Sequence, residues 1–229
     1  MASLNHFVYD IKNIASGGIT SDDFSIADEQ IKFWFNSYRA LLIRQELSER
    51  TTVSNSYIQH IIMEFEKVDI VEFCGTTTSD CYVLKSKQKV PKTIRRNDSN
   101  TILAVQSLDE KISFSETNFA KKLFDKYNKY TPNLVRWYIK DDYIYLTNNT
   151  KIKWLKISLI LEDPQDAKDF QCTGGINCYP NDDVEYPISL DLASKITDMI
   201  IKLRLQPMGL AIKKDETNDG TNINNTQMR

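Results

Sequence analysis

The residues best suited to chemistry in this 229-residue chain are its four cysteines, which fall in two pairs. Cys74 and Cys81 bracket GTTTSD, and Cys172 and Cys178 bracket TGGIN. Four thiolates hold zinc when two such loops converge, but these intervals exceed the roughly two to four residues usual in zinc sites. The pattern leaves a zinc site and four free thiols both open. The N-terminal MASLNHFVYDIKNIASGG lacks the basic start and unbroken apolar run of an export signal, so reduced thiols are the default expectation.

Other chemistries find less to work with. The two histidines, His6 and His60, have no metal-ligating companions at helical or hairpin spacing, and both read as structural. Gly17-Gly18 and Gly174-Gly175 are isolated pairs, without the lysine and hydroxyl residue or the third glycine of a phosphate cradle. The carboxylate pairs Asp22-Asp23, Asp141-Asp142 and Asp182-Asp183 sit in turn-like contexts, where capping explains them without catalysis. No catalytic, cofactor or metal residue is assigned, and the chain reads as a non-enzyme. The strongest local charge is KSKQKVPKTIRR. Its Lys85, Lys87, Lys89, Lys92, Arg95 and Arg96 suit DNA phosphates, though a solvated loop or contact with an acidic partner explains them more readily. No aromatic-interleaved basic platform accompanies them.

The elements that must carry these residues follow from periodicity. Leu4 to Ala15 has apolar residues at 4, 7, 8, 11 and 14, a short amphipathic helix that Gly17-Gly18 should end. A second helix should start at Ser25-Ile26-Ala27-Asp28, with Ser25 as cap, and run to about Leu47 or Ser48. Its IKFWFNSYRALLIRQ is apolar on two sides. Ile31, Trp34, Phe35, Tyr38, Leu41 and Leu42 form one stripe. Phe33, Ala40 and Ile43 fall roughly opposite, with Arg39 and Arg44 between. Such a helix is either wrapped by its own chain or meets another subunit with its second face.

From Tyr57 the pattern becomes strand-like, rich in β-branched and aromatic residues. IQHIIMEFEKVDIVEF and CYVLKSKQKVP read as strands, the latter ended by Pro91. TILAVQS and KISFSET read as a hairpin, Asn118 to Lys129 as a short helix, and NLVRWYIKDDYIYLTNNTKIKWLKISLILEDP as a meander turning at Asp141-Asp142 and Asn148-Asn149. After a turn at Pro180 to Asp183, Ser189 should cap a last helix with the stripe Leu192, Ile196, Met199, Ile200 and Leu203, stopped by Pro207 and Gly209. KKDETNDGTNINNTQMR, from Lys213, is too polar to fold alone. The expected fold is α+β: a small helical bundle of N-terminal and C-terminal helices, a β-rich insertion and an extended C-terminal tail. The expected divisions are 1–50, 51–170, 171–212 and 213–229.

Composition narrows the classes. A charged fraction of 26% and an apolar fraction of 41% are ordinary for a soluble domain, and no apolar run is long enough to cross a membrane. A formal net charge of -2 excludes a chain that coats nucleic acid through global charge.

Three segments in order carry a family likeness: D-x-x-I-x-F-W-F-N-x-Y-R-A-L-L-I-R-Q from Asp28 to Gln45, then VLKSKQKVP, then YPISLDLASKITDMIIKL from Tyr186 to Leu203. Together they resemble the ring or adaptor proteins of the head–tail connector of podovirus-like tailed phages, especially the crAss-like phages of gut Bacteroides. The resemblance implies a structural virion protein, made in the host cytoplasm, whose copies form a ring, commonly a dodecamer. It implies a portal protein and other tail or ring proteins as partners, with packaged DNA passing through the channel, and no cofactor and no membrane. Phe33, Ala40 and Ile43 are then the expected subunit seam, and the tail from Lys213 is expected to dock on a neighbour. A receptor- or glycan-binding module is the alternative, with Trp137, Tyr138, Tyr143 and Tyr145 as its platform.

Overall fold

The computed structural model describes residues 2–18, 25–49, 53–69, 82–96, 99–118, 134–147, 151–170 and 185–209. The four cysteines, Asn148-Asn149, the helix expected from Asn118 to Lys129 (beyond its first residue), the turn at 180–183 and the tail from Lys213 lie outside these residues. The chain is α+β and divides into two compact units, Met1–Leu42 with Asp182–Arg229, and Ile43–Asn181.

In the first unit, α1 spans Leu4–Ala15. Ser3 caps it, its hydroxyl accepting from the His6 amide, and Leu4, Phe7, Val8 and Ile11 are its buried stripe. Gly17 and Gly18 adopt positive φ (66° and 88°), and their amides donate back to Ile14 and Asn13. This pair of bonds closes a helix through a left-handed residue, a conformation glycine takes without a Cβ penalty. Helix α2, Asp28–Glu49, starts three residues after Ser25. The Ala27 carbonyl accepts the Gln30 and Ile31 amides, so Ser25 is not its cap. Asp28 and Glu29 instead place negative charge against the positive helix end, and Asp28 pairs with Lys12.

Helix α3, Leu190–Ile200, is capped by Ser189, which accepts from the Leu192 amide. It continues as a π turn, Ile201–Leu205, in which the Gln206 amide donates to the Ile201 carbonyl. The wider turn advances the buried face. Ile201 and Leu205 are buried and Leu203 is 55% exposed, so the expected stripe is corrected at its last position.

Aromatic rings form the centre of this unit. Phe7 stacks on Phe35 with centroids 4.9 Å apart, and Tyr186 stands edge-on to Phe35 at 5.6 Å. The Tyr186 hydroxyl donates to Asn36 Oδ1. Arg39, which the periodicity placed between faces, is fully buried. Its Nε donates to the Pro187 carbonyl at 3.1 Å, and its guanidinium lies 5.6 Å from the Tyr186 ring centroid. A planar cation with an apolar stem suits such a site, because the stem packs while the head keeps a carbonyl and a π face.

Among the described residues the second unit contains nine strands: β1 Gln59–Asp69, β2 Tyr82–Ser86, β3 Arg95–Arg96, β4 Ser99–Asn100, β5 Ile102–Gln106, β6 Ser113–Glu116, β7 Arg136–Lys140, β8 Tyr143–Thr147 and β9 Trp154–Leu159. Seven close into a barrel in the order β1-β2-β8-β7-β6-β5-β9, and β3 and β4 pair separately. Within the barrel β6 and β7 run parallel, and the other described pairs are antiparallel. Strand alternation sends Ile61, Met63 and Phe65 of β1 and Leu155, Ile157 and Leu159 of β9 into one core with Leu84, Val105, Trp137, Ile144 and Leu146.

Two expectations change here. Strand β2 stops at Ser86, well before Pro91. The buried Ser86 hydroxyl donates to the Gln88 carbonyl and accepts the Ile144 amide, which turns the chain out of the ladder. The meander is also broken. β7 and β8 form the expected hairpin, with positive φ at Asp141 and Asp142 (53° and 65°), as a two-residue primed turn requires. β9 does not pair with β8, however. It lies between β1 and β5, and that placement closes the barrel.

Candidate functional site

Among the described residues, no group of three or more His, Cys, Asp or Glu side chains is arranged to hold a metal ion. His6 lies on the exposed side of α1, 3.3 Å from Asp10. His60 lies on β1 opposite Ser158 of β9, its Nδ1 2.9 Å from the Ser158 hydroxyl. Close by, the largely buried Lys156 reaches Glu110 Oε1 at 2.5 Å. His60 is exposed as a residue, and partial desolvation of its imidazole by the packed neighbours holds it below its ordinary value of 6.5. Lys156 pushes it the same way, and Glu110 opposes. The unfolded chain therefore binds the His60 proton more readily than the folded chain does. The contribution to stability is complete above about pH 6.5 and declines as pH falls below it. Urea midpoints at about pH 7.5 and 5.5 should fall further in the wild type than in His60→Gln. Equal declines in the two proteins would remove His60 as the source.

The basic run does not form one field. Lys85 lies 3.9 Å from the Tyr143 ring centroid, Lys87 pairs with Glu64 at 2.7 Å, and Lys89 approaches Asp142 at 4.0 Å. Lys92 and Arg95 are exposed and Arg96 is half-buried, the last two in β3. The four aromatic residues of the alternative platform are not displayed together. Trp137 is buried in the barrel, its Nε1 donating to the Phe114 carbonyl, and Tyr138 is covered and stacks on Tyr145. Burial, with Tyr145 adding to it, pushes the Tyr138 hydroxyl up to about 12.

Two apolar surfaces stand out. The first is on α2, where Phe33 is 64% exposed and Leu41 45%, with Ser37 exposed between them and Ala40 half-buried beside them. These residues recur at helical spacing and so share one face. Ile43 is fully buried, and Leu41, expected in the covered stripe, is open. The open face is therefore Phe33, Ser37, Ala40 and Leu41. Ile31, Trp34, Phe35 and Arg39 are covered.

The second surface is a groove of about 610 Å3 on the barrel unit, bounded by the β5–β6 turn, Phe114, Leu134-Val135 and the stretch from Ile152 to Leu155. Leu108, Ile112 and Leu134 are exposed there. The turn is held by the Ser107 hydroxyl, which donates to Asp109 at 2.5 Å, and by the Glu110–Lys156 ion pair. Residue spacing did not single out this groove. Its one local signal was Leu108 and Ile112 flanking the polar Asp109-Glu110-Lys111, apolar side chains where a turn gives them no core to enter.

The family model for phage tail ring protein 2 of crAss-like phages matches residues 6–226. The chain belongs to this phage tail ring protein family. A tail ring protein is a structural component of the virion, and its copies assemble as a ring with other tail proteins. Among the described residues no helix is long and apolar enough to cross a membrane. Comparison with curated proteins returned no match.

Proposed function

We propose that this ring protein is an adaptor in the head–tail connector, joining the portal to the tail around the channel through which packaged DNA leaves. In this reading the ring is a dodecamer, assembled from chains made in the host cytoplasm. The observation that carries it is the open face of α2. A phenylalanine 64% exposed on a long helix is costly to leave in water and cheap to keep in a ring whose seam covers it. Phe33 and Ala40 are then seam residues. Ile43 supports the seam from beneath by fixing the helix. The near-neutral net charge of -2 suits a channel wall that passes DNA without gripping it. Lys92 and Arg95, both exposed, are the basic residues we assign to contact with DNA or an acidic partner. Lys85, Lys87 and Lys89 are engaged with Tyr143, Glu64 and Asp142 of their own chain. We assign residues 1–50 and 171–212 to a helical bundle, 51–170 to its insertion, and the segment from Lys213 to docking on a neighbour.

The direct test is reconstitution. Purified ring protein mixed with the phage's portal should give portal-capped rings in negative stain, counted for symmetry by cryo-EM. Rings that ignore the portal but join other tail proteins would place the chain lower in the tail and end the adaptor reading.

A further inference from the structure

A closed ring is built from heterologous contacts, in which the patch a copy offers on one side differs from the patch it offers on the other. The α2 face supplies one patch, and it is convex. Its apolar centre is flanked on the same face by an exposed acid four residues before Phe33, Glu29, and an exposed base eleven residues after it, Arg44, which three helical turns bring back to the Phe33 side and not between the faces as expected. The barrel groove is concave, with an apolar lining and one charge of each sign among its lining residues, Asp109 and Lys153. Helices commonly seat in apolar grooves through anchors at this spacing. We propose that the barrel groove of one copy is the socket for the Phe33 face of α2 of the adjacent copy, with Phe33 among Leu108, Ile112 and Leu134. The flanking charges set its direction, Glu29 toward Lys153 and Arg44 toward Asp109. This inference rests on the reading of the α2 face as the ring seam.

The test uses the full chain, with the photo-cross-linker p-benzoylphenylalanine at position 33 in unlabelled copies co-assembled with isotope-labelled wild-type copies. Irradiated rings should yield mixed-isotope peptides joining position 33 to 107–114, 134–135 or 152–155. Mixed cross-links confined to other segments, or cross-links only within a chain, would overturn the socket. Ile112→Asp should weaken assembly about tenfold or more. Leu103→Asp, also exposed on the barrel unit but outside the groove lining, should leave it unchanged. Wild-type assembly by Ile112→Asp would count against the socket alone, whereas wild-type assembly by Phe33→Asp would remove the α2 seam itself.

Discussion

Phe33→Asp should abolish ring assembly and leave the subunit folded. Phe33 is 64% exposed in the isolated chain, so the fold has little to lose, and exposed substitutions of this kind stay within about 0.5 kcal/mol. In an assembled ring the same residue would be covered. Burying a phenylalanine contributes roughly 1.5–3 kcal/mol, and an unpaired carboxylate in its place adds a desolvation cost. The loss recurs at every seam of a cyclic assembly, so a weakening of about thirtyfold per contact is enough to empty the ring population. Size-exclusion chromatography and negative stain read the assembly, while circular dichroism and the melting temperature read the fold. A variant that still forms rings would exclude this face from the seam. A variant that unfolds would show Phe33 to be a core residue after all.

Two positions along the same helix, Phe35→Ala should act on the fold itself. Phe35 is fully buried, stacked on Phe7 of α1 and edge-on to Tyr186, so it ties three separate stretches of the chain together. Truncating a buried phenylalanine costs about 3–5 kcal/mol, through lost burial and the cavity left behind. Much of a domain's net stability of about 5–15 kcal/mol would go with it. The urea midpoint of the helical unit should fall steeply, and rings should fail because α2 is no longer held. A midpoint equal to wild type would show that the Phe7–Phe35–Tyr186 cluster does not hold this unit.

The contrast between Phe33 and Phe35 shows where sequence reasoning works. The stripe of Ile31, Trp34 and Phe35 was legible because helical period alone groups them, and all three are buried. The side on which Leu41 falls was not legible. A helix apolar on two faces carries no internal signal for which borderline position is covered. Arg39 was missed for a related reason. Its burial depends on the Pro187 carbonyl and the Tyr186 ring, nearly 150 positions away. No local pattern reports such a partner.

The sequence by itself determined the features governed by neighbours in the chain. The serine cap at Ser189, the Gly17-Gly18 stop, the two-residue turn at Asp141-Asp142 and the β5–β6 and β7–β8 hairpins all depend on hydrogen bonds and φ preferences within a few residues. The family was legible too, from three segments kept in order. Tertiary structure alone decided the rest. Strand β9 abandons its sequence neighbour β8 for β1 and β5, because pairing between distant strands is set by which apolar faces can share one core. The same closure gathers Leu108, Ile112, Leu134 and Trp154 around a groove, from strands and turns that local pattern treats as unrelated. Side chains as far apart in the chain as Leu108 and Trp154 become one surface only when the barrel shuts.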